Sequence, residues 1–469
     1  MLETNLETEH VDEDRKHTGR FWRETLWAFI FSVTFVALFP VAVGAQTASP
    51  GALAPAQGAG FGTGVQTPLR FAGETAPENQ VSLSMGASTF YDDNVLGRNS
   101  DRLSDEAVSF NSNLNILRQT ERVTINFDYV PFFLLYRQID QYDRLNHSAN
   151  LSMTFRLTSR FSLGLHDTFS YQDGVYPSLT GEQILSGPAS PTALNLSLVP
   201  PTVRTLSNSS GLDLTFTKSR RTSLTLSGGY NQQKFGSQVV AGQQLYNSTG
   251  VSGGLQYQYR VTEHTSFGLL LLHQDSTFRG SEILGNNLRS QVESVYISVG
   301  SRLSPTLSVT IFGGPQYVRT IGGSAPGAGT TGKFQGAAGG SITKEVHKTA
   351  FDLSAQRTVT SGGGLYTQVI GTTANFGVRR RLVGRWEAAM RGGGARADAS
   401  LFQIAHGRTD SLTGGIDFSR PLRGGSVFRM SYVTMHQLSS GTLPSLADFD
   451  RNMVTISFDY RLRAIPLGR

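Results

Sequence analysis

Not one of the 469 residues is cysteine, which excludes a disulfide framework, a thiolate metal site and a cysteine nucleophile. Charge is scarce as well: Asp, Glu, Lys and Arg make up 16% of the chain, against about 25% in ordinary soluble domains. After residue 45 there is no apolar run long enough to cross a bilayer as a helix, so a polytopic helical membrane protein is excluded. What is abundant is glycine, at 52 residues, accompanied by Ser, Thr, Phe and Tyr. Such a mixture suits strands whose two faces meet lipid and water alternately.

The formal charge is +6, but the first 45 residues hold four basic and seven acidic groups, so the remainder carries +9. From Leu26 to Ala45 runs LWAFIFSVTFVALFPVAVGA, uncharged, preceded by Arg15, Lys16, Arg20 and Arg23 and ended by Val43-Gly44-Ala45. Basic, apolar and small-residue regions in that order predict a signal peptide over residues 1–45, cut after Ala45. An uncleaved anchor is the alternative, because about 20 apolar residues also span a bilayer. Residues 46–80, dominated by Ala, Gly, Pro and Gln, have no apolar periodicity and are expected to form a flexible periplasmic spacer.

Residues 81–469 read differently. Val454, Ile456, Phe458, Tyr460 and Leu462 alternate with Thr455, Ser457, Asp459 and Arg461, and similar segments recur along the chain. The alternation predicts an all-β fold: an antiparallel transmembrane β-barrel of about 18 strands, in the range of roughly 16–18. Connections alternate between short turns, such as Lys218–Arg221 and Pro421–Gly424, and long ones, such as Asp92–Glu106 and Gln172–Val203. That asymmetry is the one outer-membrane barrels show, with short turns and both termini periplasmic. The long connection Gln172–Val203 is expected to fold over the mouth, or else to form a packed surface loop or oligomer contact. Deleting Gly181–Pro200 would raise conductance in the first case.

Strand parity assigns Asp128, Arg156, Asp213, Gln256, Gln258, Asp417, Arg429, Asp459 and Arg461 to the lumen, with Asp352, Gln356, Glu387 and Arg391. They are read either as structural ion pairs or as a pore lining that sets solute preference. Tyrosines near strand ends, such as Tyr91, Tyr129, Tyr257 and Tyr460, suit an interfacial girdle. The short turns are basic, with Arg118, Arg122, Arg220, Arg221 and Arg379 to Arg381 among them, which suits anionic headgroups or a funnel for anionic solutes. These cations are dispersed over many turns, so nucleic acid is not expected as a partner.

No catalytic or cofactor site is expected. Adjacent His147 and Ser148 point to opposite faces of a strand and cannot form a nucleophile–base pair. Asp92-Asp93-Asn94 lacks the ligand spacing of a calcium loop and is expected to be a solvated turn. The readings left open are a passive pore for small hydrophilic solutes, an outer-membrane component of exopolysaccharide export or secretion with envelope partners, and a plugged structural barrel.

The first strand, VSLSMGASTFYDDNV, and the hairpin LSMTFRLTSRFSLGLHDTFSY resemble the β-barrel porin 2-like outer-membrane proteins of Gram-negative bacteria. The resemblance spans about residues 81–462. It implies a barrel with a pore role and, in some members, an association with exopolysaccharide export. It also implies outer-membrane lipids, lipopolysaccharide and the barrel-assembly machinery as partners. Such barrels often end on an aromatic residue that the machinery reads. This chain runs past Tyr460 as RLRAIPLGR, so the expected signal is internal, at Phe458 and Tyr460.

Overall fold

The computed structural model describes residues 79–97, 99–100, 102–139, 142–173, 203–236, 239–240, 243–279, 287–321, 331–362, 366–399, 407–441 and 448–467. The expected signal peptide and spacer, and residues 174–202 of the long connection, lie outside them. Eighteen wall strands follow one another. They are β1 (Gln80–Asp92), β2 (Asp105–Gln119), β3 (Val123–Tyr136), β4 (Arg144–Arg156), β5 (Phe161–Asp173) and β6 (Arg204–Ser219). Next come β7 (Thr222–Phe235), β8 (Asn247–Arg260), β9 (Thr265–Arg279), β10 (Asn287–Ser304), β11 (Leu307–Ile321) and β12 (Thr331–Val346). The series ends with β13 (Thr349–Gly362), β14 (Tyr366–Arg381), β15 (Glu387–Asp398), β16 (Gly407–Pro421), β17 (Ser426–Gly441) and β18 (Phe449–Arg461).

Every strand pairs antiparallel with its sequence neighbour, and β18 pairs with β1 from Asp92↔Met453 to Ser84↔Arg461. That last ladder closes the sheet into a barrel and removes its edges. A two-residue strand, Ile465–Pro466, extends the pairing onto the start of β1. Short turns all lie at one end with both ends of the wall. Two of them use Gly384 and Gly424 at φ of 68° and 75°, left-handed positions that glycine adopts without a Cβ penalty.

Alternation places the two chemistries on opposite faces. Leu226, Val251, Leu255, Leu271, Ile297, Ile311, Leu353, Phe376, Ile416, Met430 and Ile456 stand exposed on the outside, where a soluble protein would not keep them. Tyr91, Tyr230, Tyr257, Tyr259, Tyr432 and Tyr460 share that face. Ser, Thr, Asn, Gln and Gly make up much of the inner face, with charged residues and apolar clusters set among them. At Gly86 a Cβ would collide with the Asp459 and Asn111 side chains, and at Gly211 with the His166 ring, so glycine there makes room for larger lumenal groups.

The wall departs from regular pairing between β12 and β13. Their ladder runs from Val346↔Thr349 to Ala338↔Arg357 and stops, although β12 continues to Thr331 and β13 to Gly362. Beyond Arg357, β13 passes to the lumenal side of the wall. The Val359 N–H donates to Gln316 Oε1 at 3.0 Å, and Gln316 is 1% exposed on the inner face of β11. Val359 and Ile370 pack on Val292 and Val318 from the inner faces of β10 and β11. The outward face of the β13–β14 hairpin therefore lies against the inward face of its neighbours. On β14, Gln368, Val369, Ile370 and Gly371 are buried in succession, covered on both faces.

Candidate functional site

The lumen is the candidate site, and its two halves differ. On β5 to β8 the inner face carries short hydroxyls, amides and glycine, including Thr168, Ser170, Ser207, Ser209, Thr225, Asn231, Ser252, Gln256 and Gln258. Its ionisable members are the His166–Asp213 pair, at 3.5 Å, and Arg260 beside a short turn. Asp213 also accepts from Ser227 Oγ at 2.6 Å. On β13 to β18 the inner face carries Asp352, Arg379, Glu387, Arg391, Asp417, Arg429, Asp459 and Arg461. Arg379 bonds Glu387 across β14 and β15, and Arg429 Nε lies 3.5 Å from Asp417 Oδ2 across β16 and β17. With Arg381, opposite Glu387, four acids thus face five guanidinium groups on one wall, and cross-strand neighbours of opposite sign neutralise most of it locally.

The register puts all nine principal lumen candidates on the inner face. Asp128 accepts from Asn115 Nδ2 at 2.6 Å and Asn126 Nδ2 at 3.1 Å. Asp213 faces His166, Asp417 faces Arg429, and Asp459 borders Gly86. Arg156 and Arg461 sit at the short-turn end, while Gln256 and Gln258 stand on the hydroxyl wall. At that end a polar vestibule of about 1140 Å³ is lined by Ser162, Thr215, Ser223, Gln258, Arg260, Ser266 and Glu345, among others.

Towards the long-loop end lies a buried apolar cluster of Phe90, Val95, Ala107, Leu134, Tyr136 and Ile139. Asp105 holds it together, accepting backbone N–H groups of Gln138 at 3.0 Å and Ile139 at 3.2 Å. Here the expected solvated turn at Asp92-Asp93-Asn94 is corrected. Asp92 and Asn94 are fully buried, and Asp92 bonds Arg451 of β18, whose side chain is 2% exposed. Asp93 accepts from the Asn452 N–H at 2.7 Å and Asn452 Nδ2 at 2.8 Å, and Asn94 Nδ2 donates to the Asp450 carbonyl at 2.8 Å. The carboxylates are occupied in joining the first strand to the last. The partners lie some 350 residues away in sequence, so no local pattern could show the pairing. No group of three metal-ligating side chains occurs among the described residues.

His147 faces outward, where it meets Tyr129 Oη at 2.8 Å and lies near the Tyr171 ring, while Ser148 faces the lumen. They do not form a catalytic pair. Sequence reasoning missed Arg451, Asp105 and the passage of the β13–β14 hairpin onto the inner face of β10 and β11. The weak alternation around Thr373 was a signal of the last of these.

The fold defines a closed eighteen-stranded antiparallel barrel with an apolar exterior and a polar interior. No family model and no curated protein matches the chain. Among solved structures it is similar to Pseudomonas aeruginosa OccK2 (OpdF) in complex with glucuronate, with TM-score 0.42, 14% identity, 82% of this chain and 98% of that one. It is also similar to Acinetobacter baumannii OccAB3, with TM-score 0.41, 11% identity, 81% and 99%. Pseudomonas aeruginosa OpdK with vanillate gives TM-score 0.40, 12% identity, 81% and 99%. At these scores the likeness carries no weight, and the strand register alone establishes the barrel.

Proposed function

We propose that the chain is an outer-membrane channel for passive diffusion of small hydrophilic solutes, with its short turns and both termini in the periplasm. The observation that carries this reading is the polar vestibule at the short-turn end, continuous with the hydroxyl and amide wall of β5 to β8. A barrel of eighteen strands has the circumference for an aqueous channel. Hydroxyls and amides both donate and accept, so they replace a solute's water shell without demanding a charge. In planar bilayers the mature chain is expected to give stable conductance steps. A folded, heat-modifiable protein with no steps would favour a structural barrel, which the apolar cluster around Phe90 and Tyr136 also supports. An export component predicts co-purification with envelope proteins.

The lumen charges are proposed to set ion preference. Nearly balanced signs predict a weakly selective pore, and Arg429→Gln, which leaves Asp417 without that guanidinium, should shift the reversal potential towards cations. Asp459→Asn should shift it towards anions. Identical reversal potentials in both variants would show that these residues stand clear of the ion path.

Outer-leaflet lipid, lipopolysaccharide included, is a proposed partner of the outward rim at the long-loop end. There Arg137 bonds Glu106 at 2.8 Å, Arg204 bonds Asp173 at 2.6 Å, and Arg396 and Arg408 flank Asp410 at 2.7 Å each. The barrel-assembly machinery is proposed as the folding partner.

A further inference from the structure

The open edge of β12 raises a question that the hydrophilic channel does not answer. Between Thr331 and Ala337 this strand bonds β11 on one side and has no ladder on the other. Open edges are not tolerated against hydrocarbon, because each backbone N–H and C=O left without a partner there costs several kcal/mol. Such an edge belongs where water or a polar ligand can reach it.

Apolar surface converges on this edge from both sides of the wall. Outside, a shallow hollow of about 840 Å³ is lined by Leu271, Val295, Pro315, Tyr317 and Phe334, with His273 and Glu293 also on its wall. Phe334, on the open edge itself, is 76% exposed and lies 4.8 Å from the Tyr317 ring. Inside, Leu272, Tyr296, Phe312 and Ala337 form a lumenal apolar cluster, and Ala337 is the residue at the foot of the breach. Above the hollow, Arg319 follows Tyr317 by two positions on the same outward face and is exposed, with no ion pair or hydrogen bond among the described residues. An apolar trough ending in a guanidinium matches one acyl tail with an anionic head.

We propose that the β12–β13 breach is a lateral portal through which an anionic single-chain amphiphile passes between the lumen and the surrounding leaflet. The β13–β14 hairpin is its inner leaf. In the structure that leaf is closed, with Val359 and Ile370 seated on Val292 and Val318. Swinging it off β10 and β11 uncovers the inner apolar surface, while Arg319 and the backbone N–H groups along the β12 edge hold the head. This goes beyond the hydrophilic channel and does not depend on it.

The absence of native cysteine makes the test clean. The full chain carrying Val318→Cys and Val359→Cys is labelled in isolated membranes with a photoreactive palmitate. Labelled peptides are then mapped with the pair reduced and oxidised. The reduced form is expected to take label on the outer peptides around Tyr317 and Phe334 and on the inner ones around Val292. Oxidation should cut inner labelling about tenfold and leave the outer peptides labelled. Unlabelled palmitate should compete where hexadecanol does not, and Arg319→Gln should weaken that competition about tenfold, the scale of one charge-assisted contact. Label confined to the outer face would mean ordinary lipid contact and would overturn the portal. So would inner labelling that the crosslink leaves unchanged, or no labelling at all. The reduced protein is the folding control, and sugar-dependent swelling of vesicles holding the same protein reports the hydrophilic channel separately.

Discussion

Arg451 and Asp92 are almost wholly excluded from solvent, and each is the other's main electrostatic compensation. Removing one partner of such a pair leaves a buried charge and costs about 3–5 kcal/mol, whereas replacing both with apolar groups of similar volume is often neutral. Arg451→Met alone should lower the temperature at which the barrel loses its compact gel mobility, and the double variant Asp92→Leu/Arg451→Met should recover most of it. Equal losses in the single and double variants would show that the pair matters for shape and not for charge. At this scale the sequence was partly legible. Parity placed Asp128, Asp213, Arg429 and Asp459 inward because a strand alternates strictly. It could not show that Asp92 is buried, since burial came from a strand more than 350 residues later.

Among elements, the wall strands follow their patterns closely: eighteen strands are observed where the alternation predicts about eighteen. On the lipid-facing stripe, Ile297→Lys should cost about 2–4 kcal/mol, the midplane penalty for a cation, measurable by urea titration in lipid vesicles. The next residue, Ser298, stands on the inner face, where Ser298→Lys should be far milder. Equal penalties at the two positions would mean that the strand does not separate lipid from water. The Gly- and Ala-rich segments near Ala338 and Thr373, where apolar and polar residues do not alternate cleanly, are those that border the breach. Their alternation fails for a physical reason: a strand covered on both faces, as Gln368 to Gly371 is, has no solvent side to mark with polar residues. Shortening residues 358–370 to a tight turn should raise single-channel conductance, because it removes chain from the lumen. An unchanged conductance would place the narrowest point elsewhere.

For the whole molecule, the alternation of short and long connections announced both the architecture and the even strand number, because nearest-neighbour antiparallel pairing needs nothing more than tight turns at one end. What the sequence could not announce is the register of the closing ladder. Pairing β1 with β18, extended by Ile465–Pro466, joins the two ends of the wall. A chain ending at Asp448 would lack β18 and should fail to form a heat-modifiable species, whereas one ending at Leu462 keeps the entire ladder and should form it.

The ion pair between Asp92 and Arg451 also ties the two ends of the wall to each other's presence. Asp92 lies near the beginning of the wall and Arg451 near its end, so a chain cut short of Arg451 would carry Asp92 without its guanidinium. Sealing such a chain would bury an uncompensated charge, at a cost of about 3–5 kcal/mol. Completeness of the polypeptide is thereby written into the energetics of the last ladder.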